Sequence, residues 1–178
     1  MSLVSFSIGS NIDREKNIGF AIKALKQKFN SIRFSPLYET ETVGFKGDNF
    51  FNLVGQFETT LAVQDIKALF VQLEQYSGRP PLHQRFGDRT LDLDLLLYDD
   101  LVYKDDQIIL PHPDVLAYDF VLMPLSQMMP DFILPGTDKT IATLWSQRKP
   151  VHKFRQSGQK LDDLLGPVFS PGASIQNF

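Results

Sequence analysis

The densest chemistry in this chain is the run Arg89-Thr90-Leu91-Asp92-Leu93-Asp94-Leu95. Side chains at i and i+2 of a β-strand share a face, so Asp92 and Asp94 point one way and Leu91, Leu93 and Leu95 the other. Two strand rises separate the acids by about 7 Å at the backbone, close enough to grip one divalent cation or two. Hard oxygen donors in a chain without cysteine favour magnesium or manganese over zinc. Arg79, Arg85 and Arg89 precede the acids, in and beside a polar loop. Acids that hold a metal, faced by arginines that fork onto oxyanions, make up the apparatus of phosphoryl transfer. Two plainer readings stand beside this one: a solvated acidic strand face, and simple Arg–Asp ion pairing. His112, between Pro111 and Pro113, sits on a backbone with little freedom. It suits either a phosphate contact or an ordinary hydrogen-bonded structural role.

These residues need a frame. Leu3 to Ile8 alternates apolar and small polar residues, which predicts a half-buried strand. Gly9-Ser10-Asn11 predicts a turn, with Asp13 placed to cap the helix that follows. Ile18, Ala21, Ile22, Leu25 and Phe29 recur at helical spacing over 14–29, with Lys23, Lys26 and Lys28 on the opposite face. A strand over 32–40 is interrupted by Pro36, a loop covers 43–49, and Phe51 to Thr59 alternates again. Val63 to Tyr76 reads as a second helix, stopped by Gly78 and by Pro80-Pro81. After a basic loop over 81–88, Leu91 to Tyr98 is the clearest strand of all. A short apolar stretch at 108–110, a partly helical segment over 115–128 and a short helix over 140–148, with Trp145 inward, complete the order. Strand, helix, strand, strand, helix, strand implies an α+β fold: a ferredoxin-like antiparallel sheet with helices packed on it. One domain is expected, compact over about 3–148, with an irregular C-terminal tail over 149–178.

The bulk composition fits that frame. Hydrophobic residues at 43% and charged residues at 22% lie far from the balance of a disordered chain. A net charge of −3 argues against a nucleic-acid module, which needs a basic surplus to displace counterions. The absence of cysteine excludes a disulfide framework and fits a reducing compartment. No apolar run approaches the roughly 20 residues that span a bilayer, and the N-terminus lacks the pattern of a secretory signal. A cytoplasmic location is expected.

Three motifs in order carry a resemblance. Gly9-Ser10-Asn11, the 79–94 run ending Arg-Thr-Leu-Asp-Leu-Asp, and Leu110-Pro111-His112-Pro113 followed by Phe120-Val121-Leu122-Met123-Pro124-Leu125 resemble the 6-hydroxymethyl-7,8-dihydropterin pyrophosphokinases of folate biosynthesis. The similarity runs from residue 4 to about residue 135. It implies transfer of pyrophosphate from ATP to the hydroxymethyl group of 6-hydroxymethyl-7,8-dihydropterin, with AMP released. It further implies two Mg2+ ions on Asp92 and Asp94, with Arg79 and Arg89 assisting transfer. Glu74, Arg79, Arg85, Arg89 and His112 would contact ATP. Thr40, Val43, Phe50, Asn52, Phe86 and Phe120 would form the pterin pocket, the rings of Phe50 and Phe120 sandwiching the heterocycle. The chain departs from the family pattern at Pro80, Pro81 and Leu82, where basic residues are common. It departs also at Phe86 for tryptophan, Tyr118 for arginine and Gln127 for an acid. A paralogue acting on a related pterin, and a weakly catalytic pterin- or nucleotide-binding protein, are the alternative readings. Expected partners are small molecules, with no nucleic acid and no membrane, and the oligomeric state stays open.

Overall fold

Alternation in β1 (Ser2–Ser10) divides the molecule into two faces. Val4, Phe6 and Ile8 enter one core, while Ser5, Ser7 and Gly9 face the other side. The computed structural model describes residues 1–79 and 87–165. β1 pairs antiparallel with β4 (Phe50–Thr59) on one side and with β5 (Asp92–Tyr98) on the other. Outside β4 lie β2 (Ile32–Phe34) and β3 (Tyr38–Thr40). Pro36 and its neighbours split what the sequence offered as one strand, because proline cannot donate to the ladder.

α1 (Arg14–Lys28) and α2 (Val63–Tyr76) bury their apolar stripes against the Val4–Phe6–Ile8 face. Leu91, Leu93 and Leu95 join them there. Phe6 lies across Gly55 on the neighbouring strand, where any larger residue would collide with its ring. The antiparallel sheet and the β1–α1–β2/β3–β4–α2–β5 order match the ferredoxin-like expectation. Asp13 precedes α1 as expected, but in a left-handed conformation and without a side-chain capping bond. Its carbonyl instead accepts from the Asn17 amide.

The opposite face of the sheet carries a second core. Val54, Leu96 and Leu97 pack there against Val121, Leu122 and Leu125 of α4 (Asp119–Met128) and Ile141 of α5 (Ile141–Ser146). The β1–β5 register shifts between Ser5 and Phe6. This bulge turns Leu97 onto the same face as Leu96, against the simple alternation of the strand. A small ribbon of β6 (Tyr103–Lys104) and β7 (Ile109–Leu110) leads to α3 (Asp114–Ala117). Trp145 is partly buried against this core.

Residues 149–165 hold regular structure that their composition did not suggest. β8 (Phe154–Gln156) adds an edge strand to β3, and α6 (Leu161–Leu164) packs on α1 at Gly19. Main-chain pairing needs no hydrophobic pattern, so composition concealed it. No helix among the described residues is long and apolar enough to cross a membrane.

Candidate active site

Two small residues on the central strand create the site. Across the sheet, Gly9 lies between Asp92 of β5 and Asn52 of β4, and Ser7 lies between Asp94 and Val54. Larger side chains on every flank and small ones in the middle leave a hollow of about 180 Å³. Phe50, Asn52, Thr40 and Val43 wall one side, Asp92, Asp94 and Arg89 the other, and Tyr118 and Phe120 close over them. A Cβ on Gly9 would stand 2.8 Å from Asn52 Oδ1, so only glycine fits without moving that amide.

The polar and aromatic walls are held from behind. Asn52 donates to Thr40 Oγ1 at 2.7 Å, leaving its carbonyl oxygen beside Gly9. Phe45 meets Phe50 edge-on, with centroids 6.3 Å apart. Tyr118 stacks on Phe120 at 5.0 Å and 19°. Asn11 fastens the rim: its amide donates to Asp88 Oδ1 and to the Asp48 carbonyl, and its carbonyl accepts from the Arg89 amide. Gly9 and Ser10 end β1 as strand residues rather than forming the expected turn, and Asn11 just beyond them ties the 43–49 loop to residues 87–89.

Asp92 and Asp94 share one face, as the strand period requires, and both line the hollow. Burial, and then the neighbouring charge of Asp92, push the Asp94 carboxyl up to about 8. A carboxylate buried beside a second one is costly to ionise. An oxygen-only pair of that kind suits a hard divalent cation. Glu41 and Asp114 also line the cavity, so its field favours cations. Among the described residues no cluster of three His, Cys, Asp or Glu forms a ligand set. A cation here would take two protein carboxylates and complete its shell with other oxygens.

The remaining candidates line up along the outer edge of β5. Arg79 bridges Glu74 and Asp92, at 2.6 Å from Asp92 Oδ1. Arg89 Nε lies 3.9 Å from the same oxygen. Glu74 accepts from the Leu93 amide at 2.8 Å, and Arg79 donates to the Leu91 carbonyl. Burial raises the Glu74 pKa, against the pull of the Leu93 amide and Arg79. The His112 amide donates to the Leu96 carbonyl. These groups satisfy an edge strand that would otherwise expose its backbone. Burial lowers the His112 pKa despite nearby Asp114. The ion-pairing reading of the Arg–Asp cluster is therefore met at Asp92. Glu74, Arg79 and His112 flank the hollow rather than line it. Arg85 and Phe86, with Pro80, Pro81 and Leu82, lie outside the described residues.

Sequence reasoning missed several wall residues. Ser7 and Gly9 carried a signal, being the small members of an alternating strand. Glu41, Phe45 and Asp114 carried none, because loop and short-helix positions have no period. Gln127, a departure from the family pattern, accepts from the Tyr38 hydroxyl at 3.2 Å.

Comparison with known proteins sets this geometry in context. Residues 5–130 match the family model described as 7,8-dihydro-6-hydroxymethylpterin-pyrophosphokinase. A Bacillus subtilis protein named 2-amino-4-hydroxy-6-hydroxymethyldihydropteridine pyrophosphokinase is 32% identical over 164 residues, covering 88% of this chain and 98% of that protein. The folic acid synthesis protein FOL1 of Dictyostelium discoideum is 33% identical over 136 residues, 75% of this chain. That match covers only 20% of FOL1, and a similar Schizosaccharomyces pombe protein is covered to 19%. The chain therefore spans about a fifth of the length of these two relatives. The HPPK-DHPS crystal structure of Plasmodium falciparum superposes with a TM-score of 0.61 at 15% identity, over 83% of this chain and 43% of that one. This last likeness is one of fold.

Proposed function

The chain belongs to the 7,8-dihydro-6-hydroxymethylpterin-pyrophosphokinase family, and from that premise we propose that it pyrophosphorylates a reduced pterin. The donor is ATP, the acceptor is the hydroxymethyl group of 6-hydroxymethyl-7,8-dihydropterin, and AMP is the second product. The observation that carries this reading is the hollow itself: aromatic walls and an amide at one end, paired acids and a guanidinium at the other. Few ligand classes need both ends at once.

In this reading the pterin lies between Phe50 and Phe120, where ring stacking adds about 1 kcal/mol beyond area burial. The Asn52 amide, oriented by Thr40, reads the polar edge of the heterocycle. ATP lies over Asp92 and Asp94 toward the outer edge of β5, within reach of Arg79, Arg89 and His112, with Glu74 near the ribose. Arg85 and Phe86 keep their expected roles at the phosphates and the pterin. Two Mg2+ ions on Asp92 and Asp94 would neutralise phosphate charge and hold the triphosphate in line. The hydroxymethyl oxygen attacks the β-phosphorus, the bond from that phosphorus to the α–β bridging oxygen breaks, and the hydroxyl proton is released to solvent. Arg79 and Arg89 stabilise the charge that builds on the transferring group. No protein base is required, because positioning and electrostatics supply the acceleration. The 43–49 loop excludes water from the activated phosphate. A cytoplasmic location follows from the same reading, and a chain without cysteine suits it.

The test is AMP release. AMP should accumulate only with ATP, magnesium and 6-hydroxymethyl-7,8-dihydropterin together, and Asp94→Ala should abolish it. Wild-type turnover by that variant would overturn the metal assignment. AMP release without pterin would overturn the acceptor.

A further inference from the structure

Asp119 carries a fully buried charge that the reaction above does not use. It opens α4, one residue before Phe120, where a negative charge meets the positive end of the helix. Its Oδ1 accepts from Arg148 Nε at 2.6 Å. Its Oδ2 accepts from the Val151 and His152 amides, each at 2.7 Å. The His152 ring stands 2.9 Å from the same oxygen through Nδ1. Arg148 also donates to the Leu116 and Ala117 carbonyls at the end of α3. A single carboxylate thus gathers residues 148–152 beneath the junction of α3 and α4.

Two walls of the hollow hang from this knot. On one side, the His152 ring meets Tyr118 at 5.3 Å and Phe120 at 5.7 Å, both edge-on. His152 therefore backs the stacked pair that closes the cavity. On the other side, the chain passes directly from His152 into β8, which pairs with β3 through Phe154 and Thr40. The Glu41 amide also bonds the Lys153 carbonyl. Thr40 in turn orients Asn52.

We propose that Asp119 is a positioning residue for the acceptor pocket: by clamping residues 148–152 it fixes the separation and angle of the Phe120 wall relative to the Thr40–Asn52 wall. Asp92, Asp94 and Arg89 lie on β5 and the strand-to-loop turn, outside the knot. The clamp therefore governs pterin binding and leaves nucleotide binding alone. This rests on the pterin reading of the cavity.

Steady-state kinetics on the full chain test it. Asp119→Asn keeps the size and removes the charge, and should raise the pterin KM about tenfold, with the ATP KM within twofold of wild type. A fall in kcat alone, with the pterin KM unchanged, would mark a merely structural residue and overturn the proposal. His152→Ala, which keeps the carboxylate and three of its donors, serves if Asp119→Asn does not fold, and should raise the pterin KM severalfold. Ring-labelled phenylalanine NMR on the unliganded protein reads the clamp without turnover. The Phe120 resonances should move in both variants, while Phe6 and Phe57 in the far core stay put. Unmoved Phe120 signals would overturn the clamp even if wild type makes AMP. Moved signals with no AMP from wild type would overturn the activity and leave the clamp standing.

Discussion

Asp94 shows how function costs stability at a single residue. Its carboxyl is pushed up to about 8 by burial and by Asp92. An acid with a raised folded pKa stabilises the fold while it is protonated, and that contribution is lost as pH rises through the folded value. For Asp94 the loss spans the window from the ordinary carboxylate range near pH 4 up to about 8. Asp94→Asn mimics the protonated form and cannot supply the charge that a cation needs. We expect this variant to melt at least ~3 °C above wild type at pH 8.5 without added magnesium, a shift of order 1 kcal/mol. Below pH 4 the two proteins should melt together, and AMP release should be lost throughout. Scanning calorimetry across pH checks the first two outcomes. A variant less stable than wild type at pH 8.5 would show that the acid pair is not under electrostatic strain. The pair was legible in the sequence because a strand has a period of two. What alternation could not show is that Asp92 is already bridged by Arg79 to Glu74, since that bond joins residues on different elements.

At the scale of elements, the site depends on which strand carries small residues. β1 is central, and Ser7 and Gly9 lie between the acids of β5 and the Asn52 side of β4. Gly9→Ala should push on Asn52 Oδ1, which lies 2.8 Å from the new Cβ. That amide is held by Thr40, so the cost falls on the pocket rather than the core. We expect pterin affinity, read by calorimetry, to fall about tenfold, while thermal stability changes by no more than ~1 kcal/mol. Unchanged affinity would place the pterin edge elsewhere. Strands and helices with strong periods were legible almost to the residue: Val63–Tyr76 is α2 as the pattern required, and 14–29 is α1 less one residue. The elements that sequence reading lost are those held by tertiary partners. β8 is three residues long and exists because β3 offers an open edge. The bulge in β1–β5 leaves no mark on the Leu-rich run, yet it decides where Leu97 points.

The whole molecule is a sheet between two unequal cores, and its pH response reads how the thinner side is fastened. Helices α1 and α2 cover one face through a continuous apolar stripe. The other face holds the hollow and a smaller core, and Asp119 ties residues 148–152 to it. Burial alone pushes that carboxyl up, but the His152 and Val151 amides, Arg148 and the His152 ring outweigh it and hold it at about 2. A depressed acid contributes stability above the ordinary carboxylate value, and that contribution disappears as pH falls through the folded value. The window here runs from about pH 4 down to about 2. Allowing for solvent screening, the amount at stake is on the order of 1–2 kcal/mol. Asp94 works with the opposite sign over a higher window, because its protonation removes a buried charge and its repulsion with Asp92 as pH falls from about 8. Wild-type stability, followed by urea unfolding, should therefore rise on acidification from pH 8 toward 4 and then decline. Asp119→Asn should shift the curve downward at neutral pH and flatten only its acid limb, because the titrating group is gone while Asp94 remains. If both limbs changed together, the two carboxylates would belong to one coupled network, and the separation of nucleotide floor from pterin wall would be lost with it.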